Sequence, residues 1–497
     1  MEEKADKRSS YESIFKALAL FGGVRVIQII VSIIRSKIIA LLIGPTGMGI
    51  SHLLKSTTDT VNHITGCGLH TSAVRDVAKA YDDNDQERIN TTISTLRGLV
   101  WFTGLLGGII VLVFASPLSQ FAFGNKEYAS AFRILSIMMV FMQLNVGQVA
   151  LMQGTFHYKD MARATLLAQI MSLVLTIPLY YFFREKGIVP ALLIASIITV
   201  VFTSFYSKRV VFSKVLMTLE DYWVNGREMI SLGIVISLGG MISNASSYLM
   251  NVFVSRLGSV DAVGLYSAAI TIANSYVFLV LSAMTSDYVP RISALSSDSK
   301  LIITAINKQM VMVMIVLVPL LIAFSVFAKE VLLVLYSSEF LVTTHMLEFL
   351  MLGMFFRAIS WCLSYALIAR GESKVFLRNE IVIFCISLSL KVLGFKFLGF
   401  TGIGLAIILV YFLYTIILLF VCKRLFCFRL DNEFYKIAFP SLTLCVIASL
   451  MSFLLGSLWL KYVLGSVVFV FSLLYSYQQL NARIHIKYLV LSKIHRS

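Results

Sequence analysis

Apolar runs of about twenty residues recur along the whole chain, and they restrict the fold more than any other feature. A helix of that length crosses about 30 Å of hydrocarbon, whereas the strands of a membrane barrel alternate apolar and polar residues over about ten positions. Only 14% of the residues are charged, compared with about 25% in a soluble domain. The sequence therefore predicts an all-α integral membrane protein and excludes a soluble enzyme, a disordered chain and a disulfide-stapled secreted module.

The apolar runs predict about fourteen transmembrane helices. They lie near residues 17–43, 48–74, 93–115, 129–156, 162–183, 188–207, 229–256, 261–289, 303–327, 341–369, 377–399, 402–422, 434–456 and 459–480. The connections between them are too short for a folded domain outside the membrane.

The net charge of +16 comes from Lys and Arg that collect in alternate connections. With the N-terminus inside, connections on that side carry 26 basic residues and those opposite carry 7, Lys391 and Lys461 among them. Cytoplasmic loops of membrane proteins hold such an excess. We therefore expect both termini in the cytoplasm and no nucleic-acid partner. The six cysteines match no common metal spacing, so no metal site is predicted.

Short motifs recur at one constant offset along the chain: Gly49-Ile50 as Gly264-Leu265, and Gly187-Ile188 as Gly402-Ile403. Each copy would hold six helices, an even number, so the two copies should have the same orientation. We expect a six-helix bundle at 1–210, a cytoplasmic linker at 211–228, a second six-helix bundle at 229–425, an additional helix pair at 426–480 and a basic cytoplasmic tail at 481–497. The tail should lie on the anionic inner leaflet.

Polar residues follow one another at helical spacing in the second predicted span. The stripe consists of His52, Lys55, Asp59, Asn62, His63, Gly66 and His70. A charge at mid-membrane costs roughly 3 kcal/mol or more unless it faces water or a partner. The stripe should therefore face an aqueous cavity or a polar neighbour. The seventh span carries a milder stripe at Asn244, Ser247, Asn251 and Ser255.

Further cations lie within other spans: Arg25 and Arg35 in the first and Arg357 near the middle of the tenth. The only carboxylate expected at such depth is Asp59, since Asp287 lies near a helix end. A cationic surplus attracts an anion, and guanidinium groups suit a phosphate or diphosphate because their planar donors match paired oxygens.

A substrate cavity is therefore predicted to be lined by Arg25, Arg35, His52, Lys55, His63 and Arg357. Two interpretations remain for the residues of the second span. Lys55 and Asp59 either neutralise each other, or Asp59 couples transport to a proton or sodium ion. The histidines either line the cavity or are hydrogen-bonded packing residues.

The connections between helices carry family motifs. These are Leu42-Ile-Gly-Pro-Thr-Gly-Met-Gly49, Phe121-Ala-Phe-Gly-Asn-Lys-Glu-Tyr128 and Val263-Gly-Leu-Tyr-Ser267. On these motifs, and on a layout that extends over residues 12–425, the chain resembles the O-antigen translocase and lipid III flippase group. This group belongs to the polysaccharide transporter branch of the multidrug/oligosaccharidyl-lipid/polysaccharide (MOP) exporter superfamily.

The resemblance implies two six-helix bundles that form a V around a central cavity and open alternately to either side. It implies a polyprenyl-diphosphate-linked oligosaccharide, an O-antigen or related surface polysaccharide unit, moved from the cytoplasmic to the periplasmic leaflet of a bacterial plasma (inner) membrane. It also implies no covalent catalysis, no cofactor other than a coupling H⁺ or Na⁺, and a polysaccharide polymerase and chain-length machinery as partners.

Related peptidoglycan-precursor flippases place basic residues in their first two helices, where Arg25 and Lys55 stand here. The chain departs from twelve-helix members by its last two helices, and Ile270 stands at the repeat position of Lys55. The alternative function is a MATE-like small-molecule or drug exporter of the same superfamily, against which the cationic surplus argues. A membrane-bound polymerase or glycosyltransferase is disfavoured, because the first outer connection is too short for a catalytic loop.

Overall fold

The computed structural model describes residues 2–484, apart from 84, 214, 216, 295–298 and 456–457. The side chains of residues 2–26 and of a few further helical residues, Asp287 among them, also lie outside the description, as does most of the predicted basic tail. Within the described residues every regular element is a helix. The all-α prediction is thereby confirmed.

The chain divides into two compact units, of which the first ends at Gly264. Its helices are α1 (Glu2–Thr65), α2 (Leu69–Asp82), α3 (Gln86–Val113), α4 (Ala115–Phe123), α5 (Ala129–Gly154), α6 (Tyr158–Phe183), α7 (Ile188–Ser207) and α8 (Leu219–Leu257). A 3₁₀ turn, Arg184–Gly187, joins α6 to α7. Helix α9 (Val260–Ala294) begins at the end of this unit.

The second unit begins at Leu265 and contains the rest of α9. Its further helices are α10 (Ser299–Val326), α11 (Ala328–Leu335), α12 (Thr344–Ala369), α13 (Ser373–Phe426), α14 (Asn432–Leu454) and α15 (Leu458–Ile484). A 3₁₀ turn, Ser338–Thr343, precedes α12. Most of α12 is buried, so this helix forms the centre of the unit.

Eleven helical stretches of the described chain are long and apolar enough to cross a membrane. Three of them, of 39, 50 and 54 residues, are long enough for two crossings each. Each of the three contains a break with positive φ, at Gly44 (φ 62°), Arg184 (φ 51°) and Gly399 (φ 60°). The fourteen predicted spans fit the eleven stretches in this way, although the exact number of crossings stays a prediction.

The repeat predicted from motif pairs is visible in the backbone. The offset between the paired motifs also separates both ends of α5 from those of α12, and the start of α6 from that of α13. Positive φ angles recur at the same offset, at Phe156 and Gly371 and again at Arg184 and Gly399. The two copies therefore share helix lengths and turn geometry, while the arrangement of the two predicted bundles around a cavity remains a prediction.

Helix α8, expected to open the second bundle, packs in the first unit against α1, α2, α3 and α4. It begins within the predicted linker 211–228, where Thr218 and Asp221 form a capping box. The Asp221 amide donates to Thr218 Oγ1 at 3.2 Å, and the Thr218 amide donates to Asp221 Oδ2 at 2.8 Å. This box satisfies amides that a helix start otherwise leaves unpaired. The predicted domain boundaries stay predictions.

The second predicted span is shorter than expected. Helix α1 ends at Thr65, and the chain turns through Cys67 (φ 46°) and Gly68 (φ 66°) before α2 begins. Glycine adopts this left-handed backbone without steric cost. Helix α2 is amphipathic and buries an apolar face that includes Ala73 and Val77. Much of the predicted loop 75–90 is therefore helical.

The last two helices pack against α10 and α12 of the second unit. Lys461 of α15 places Nζ 2.8 Å from Oε1 of Glu348 on α12, and His345 Nδ1 lies 2.9 Å from the other carboxylate oxygen. The Glu348 side chain has no exposed surface. Lys461, which was counted with an outer connection, lies in the first turn of α15, and the pairing with Glu348 allows it to be buried there. The helix pair is thus an integral part of this unit.

Lys461→Met should destabilise the protein by about 3–5 kcal/mol, because it leaves the Glu348 carboxylate buried without a counter-charge. The double variant Glu348→Leu/Lys461→Met should recover most of that loss. Thermal melting in detergent measures both, with Lys126→Met, at an exposed position, as the matched control. Equal melting of Lys461→Met and the control would show that the pair is not needed to compensate the carboxylate.

Candidate functional site

Helices α1 and α8 run side by side in opposite directions, and together with the first turn of α9 they make contact at three levels. The close pairs are Gly49 with Val260, Thr57 with Tyr248, and Gly68 with Gly233. These levels place the polar stripe of the second predicted span alongside the milder stripe of α8. Sequence analysis found the two stripes separately, and the fold of the first unit brings them together.

Lys55 and Asp59 form an ion pair of 2.9 Å on α1, and both side chains are partly exposed. His52 lies close enough to interact with both charges. Lys55 follows the break at Gly44 by eleven residues, or about 16 Å of helix, which is close to half of a 30 Å membrane core. The pair fits the neutralising interpretation of Asp59, and its exposure leaves the carboxylate within reach of an ion.

The rest of the α1 stripe divides between open and packed residues. His63 is exposed. Asn62 is buried, and its backbone oxygen accepts a hydrogen bond of 3.1 Å from Gln143 Nε2 on α5. Gly66 faces the same glutamine, with no room for a side chain. Of the two expected surroundings for the stripe, a cavity or a polar neighbour, Asn62 and Gly66 have the polar neighbour, because both pack against Gln143 of α5.

The two arginines of the first span lie at different depths. Arg35 precedes the break at Gly44 by nine residues and lies beside the hydroxyl of buried Tyr180 on α6. Arg25 precedes the break by nineteen residues, or about 28 Å of helix. Its backbone therefore lies near the end of a membrane span, and its side chain is outside the described part of the structure.

The middle of α8 is open, whereas its ends are packed. Gly233 is buried near one end and Tyr248 near the other. Between them, Ser243 and Ser247 are exposed, and outside the neighbouring turns of α8 no described atom lies within 4 Å of a Cβ atom placed at Gly240. The exposed middle of α8 begins with apolar Ile234, Val235 and Ile236. Its polar part, from Gly240 to Ser247, is called the open polar segment and lies at the level of Asp59 and His63 on α1.

Arg357 is held by three elements of the second unit. Its Nη1 donates to Asn274 Oδ1 on α9 and lies 3.6 Å from the sulfur of Met354. Its guanidinium lies 5.5 Å from the ring centre of Tyr411 on α13. Because Asn274 and Tyr411 are neutral, they orient the guanidinium and leave its charge uncompensated.

Lys391 was missed as a site residue because it was counted with an outer connection. It lies inside α13, eight residues before the break at Gly399, and its charge interacts with that of Arg357. In the described part of the chain neither residue forms an ion pair with a carboxylate. The position of Lys391 within the apolar run 377–399 was the sequence signal that could have identified it. The two cations form an anion-attracting pair.

Two further acids lie within membrane-spanning helices, near the starts of α12 and α13. Glu348 lies on α12 and pairs with Lys461, as described above. Glu380 on α13 accepts a 2.5 Å hydrogen bond from the hydroxyl of Tyr414, which also lies 3.2 Å from the Ser364 hydroxyl. Glu348 thus lies on α12 and Glu380 on its neighbour α13, and no described group of three His, Cys, Asp or Glu residues could hold a metal ion.

A separate polar cavity of about 420 Å³ lies where α2, α3 and α8 meet; α2 is not among the membrane-spanning stretches, whereas α3 and α8 contribute the first turns of theirs. Its lining includes Arg75, Asp76, Lys79 and Glu228. Burial raises the pKa of the Asp76 carboxyl; Arg75 opposes the rise and Glu228 adds to it, while Lys79 and Arg88 oppose it more weakly. Asp76 is therefore less easily ionised than an aspartate in water.

A model of the polysaccharide biosynthesis protein family matches residues 38–345, more than half of the chain. The chain belongs to this family. Among its relatives is the lipid III flippase of Escherichia coli (strain K12), 23% identical over 290 residues, which are 57% of this chain and 68% of the relative. A Shigella flexneri protein named as a candidate O-antigen transporter is 22% identical over 340 residues, 67% of this chain and 79% of the relative.

Solved structures show the fold that this family member shares. An inward-facing multidrug resistance MATE transporter of the MOP superfamily matches with a TM-score of 0.64 and 16% identity, over 79% of this chain and 93% of that one. The lipid II flippase MurJ in an inward closed conformation matches with a TM-score of 0.61 and 14% identity, over 93% and 98%. The fold implied by the connecting motifs is confirmed, and the chain is a multi-pass membrane protein whose named relatives and neighbours are flippases and transporters.

Asp76→Asn should raise the melting temperature near neutral pH. Because burial raises the pKa of Asp76 in the folded state, ionisation costs folding free energy at pH values above that pKa, and the cost vanishes as the pH falls towards about 4. The gain from the substitution should shrink over the same range. Asp82→Asn, at an exposed position of the same helix, is the control. A gain that is independent of pH would contradict this account.

Proposed function

We propose that the protein is a flippase for a polyprenyl-diphosphate-linked oligosaccharide, an O-antigen or related surface polysaccharide unit. It moves this lipid from the cytoplasmic to the periplasmic leaflet of a bacterial plasma membrane, with both termini in the cytoplasm. The prenyl chain stays in lipid while the diphosphate and glycan pass through polar space that opens alternately to either side. A polysaccharide polymerase and chain-length machinery are the partners that this function implies.

The observation that carries the proposal is the pair Arg357 and Lys391. Two cations that repel each other within membrane-spanning helices are costly unless an anion or water compensates them. A diphosphate carries two negative groups, and a guanidinium binds paired phosphate oxygens through parallel hydrogen bonds. Lysine adds a compact charge with three donors. The pair therefore suits the headgroup of the proposed lipid better than a neutral or cationic drug.

The first unit supplies the remaining proposed residues: Arg25, Arg35, His52, Lys55 and His63. Lys55 and His63 are exposed on the α1 stripe beside the open middle of α8. Hydroxyl and amide groups of both helices offer hydrogen bonds to sugar hydroxyls. We propose that this segment holds the glycan, and that Arg25 and Arg35 attract the diphosphate along the first span.

Asp59 is proposed as the coupling residue for H⁺ or Na⁺. A proton or sodium ion at Asp59 would release Lys55 from the ion pair and free its charge for the substrate. Asp59→Asn should then abolish any dependence of flipping on an imposed pH or sodium gradient. Flipping that keeps its full gradient dependence in this variant would assign the ion pair a purely structural role.

The alternative is a small-molecule or drug exporter of the same superfamily, whose fold the chain shares. Such an exporter of cationic drugs would need uncompensated carboxylates in its cavity. Among the described residues Glu348 is paired with Lys461 and Asp59 with Lys55. Glu380, hydrogen-bonded to the Tyr414 hydroxyl, is the acid that such an exporter could use. A drug-efflux assay in the same vesicles distinguishes the two functions.

Arg357→Ala and Lys391→Ala should each slow flipping by about tenfold or more, because a hydrogen bond to a charged group contributes about 1.5–3 kcal/mol. Flipping of a fluorescent polyprenyl-diphosphate sugar in proteoliposomes is measured as the fraction of label protected from a membrane-impermeant quencher. Arg133→Ala is the matched control, since Arg133 is an exposed arginine on the membrane helix α5.

Normal flipping by both variants at normal expression would exclude the Arg357–Lys391 pair as the diphosphate site. A wild-type protein that flips neither this probe nor the lipid with its native glycan would contradict the proposed function itself.

A further inference from the structure

At the end of the first unit where α1 breaks, the neighbouring backbone packs so closely against Gly49 and Gly264 that neither position has room for a side chain. A methyl group on Gly49 would lie 1.9 Å from the carbonyl oxygen of Val260, and one on Gly264 would lie 2.0 Å from that of Pro45. Real Cβ atoms essentially never approach a neighbour closer than 3.0 Å. Both glycines therefore permit a backbone approach that any other residue would prevent.

This contact is reciprocal under the sequence repeat. The offset that relates Gly49 to Gly264 also relates Pro45 to Val260. Gly49 faces the carbonyl of Val260, and Gly264 faces the carbonyl of the equivalent residue Pro45. Such mutual contacts arise where two equivalent elements meet about a two-fold axis. We call this contact, between Pro45–Gly49 and Val260–Gly264, the outer clasp, because the positive-inside rule places both connections on the outer side.

Arg256 makes a second contact that fixes the same hairpin. Its Nε donates to the carbonyl of Phe121 at 3.3 Å, and its Nη2 donates to that of Gln120. These carbonyls belong to the last turn of α4, where the helix dipole favours a cation. The α8–α9 hairpin is therefore held to the first unit on both of its arms, at α4 through Arg256 and at α1 through Gly264.

A second pair of glycines closes the other end of α8. A methyl group on Gly233 would lie 2.4 Å from the carbonyl oxygen of Cys67, and one on Gly68 would lie 2.1 Å from that of Gly233. This contact, between Cys67–Gly68 and Gly233, is the inner clasp. It sits at the turn between α1 and α2, where Cys67 and Gly68 both have positive φ.

The two clasps lie on either side of the open polar segment. Ser243 and Ser247 are exposed between them, and a Cβ atom at Gly240 would meet no described atom of another element within 4 Å. Close backbone contacts of this kind have no flexible side chain that could yield, so they are either made or broken. Helix α8 is therefore tight at two ends and free at its middle.

We infer that Gly49, Gly264, Gly68 and Gly233 are positioning residues for transport, whose two clasps close α8 over the polar segment and open one at a time. The inference rests on the proposed function, since a carrier that moves a headgroup across must expose this segment to each side in turn. The part of the substrate that passes the clasps is the polar headgroup, because the lipid chain stays in the membrane and needs no polar path.

Labelling of a single cysteine tests the inference without any substrate. Ser243→Cys, in a background with the six native cysteines replaced, reports access to the segment when membrane-impermeant maleimide is added to one side of oriented vesicles. Gly49→Ala and Gly264→Ala should raise labelling from the outer side by severalfold. Gly233→Ala should raise it from the inner side. Gly240→Ala, a helical glycine with free space around it, should change neither.

Opposite side preferences for the two clasps support the inference, whatever the effect on flipping. Three results overturn it: equal labelling in all variants, a rise from both sides in each variant, or no labelling at all. Melting temperature identifies variants that fail to fold, and Arg256→Gln then replaces the outer glycine variants, with the same expected rise from the outer side. Failure of flipping with intact, side-specific labelling would refute the proposed cargo and leave the clasps in place.

Discussion

A positive charge within a membrane span needs water or a counter-charge, and the two units meet this need differently. In the first unit Lys55 finds Asp59 four residues away on its own helix. In the second, Lys461 of α15 forms an ion pair with Glu348 of α12. Arg357 and Lys391, by contrast, lie near each other with only neutral partners among the described residues. The compensated charges hold the protein together, and the uncompensated pair gives it an affinity for anions.

Much of the fold could be predicted from the sequence because the membrane imposes one length and one hydrogen-bonding solution on each span. Apolar runs of about twenty residues indicated the helices, and motif pairs at a common offset indicated the duplication that the φ angles of Phe156, Gly371, Arg184 and Gly399 now display. What the runs could not show is where helices continue. At Gly44 and Gly399 the backbone leaves the helical conformation and a new helix follows at once, so two predicted pairs of spans adjoin without a loop between them.

The candidate site was only partly predictable. The sequence shows how far along its helix a residue lies, but it does not show which residues of other helices that residue contacts. Lys55, Asp59 and Arg357 were recognised by their position within apolar runs. Lys391 and Glu348 also lie within membrane-spanning helices, but their nearness to a span end in the sequence made them look peripheral. Asn62 and Gly66 followed the helical spacing of the stripe and yet pack on α5, because a stripe defined by three- and four-residue steps is wider than the opening that it faces.

The ion pair between Glu348 and Lys461 also has a consequence for biosynthesis. The two residues are separated by 113 positions, and chains grow at about 5–20 residues per second. Helix α12 therefore reaches the membrane on the order of ten seconds before its counter-charge has been synthesised. During that interval the carboxylate must stay at the membrane surface or enter as the neutral acid, which costs far less to bury than the anion. Assembly of the second unit is complete only when α15 has been inserted, so the ion pair at α12 forms late in the synthesis of the protein.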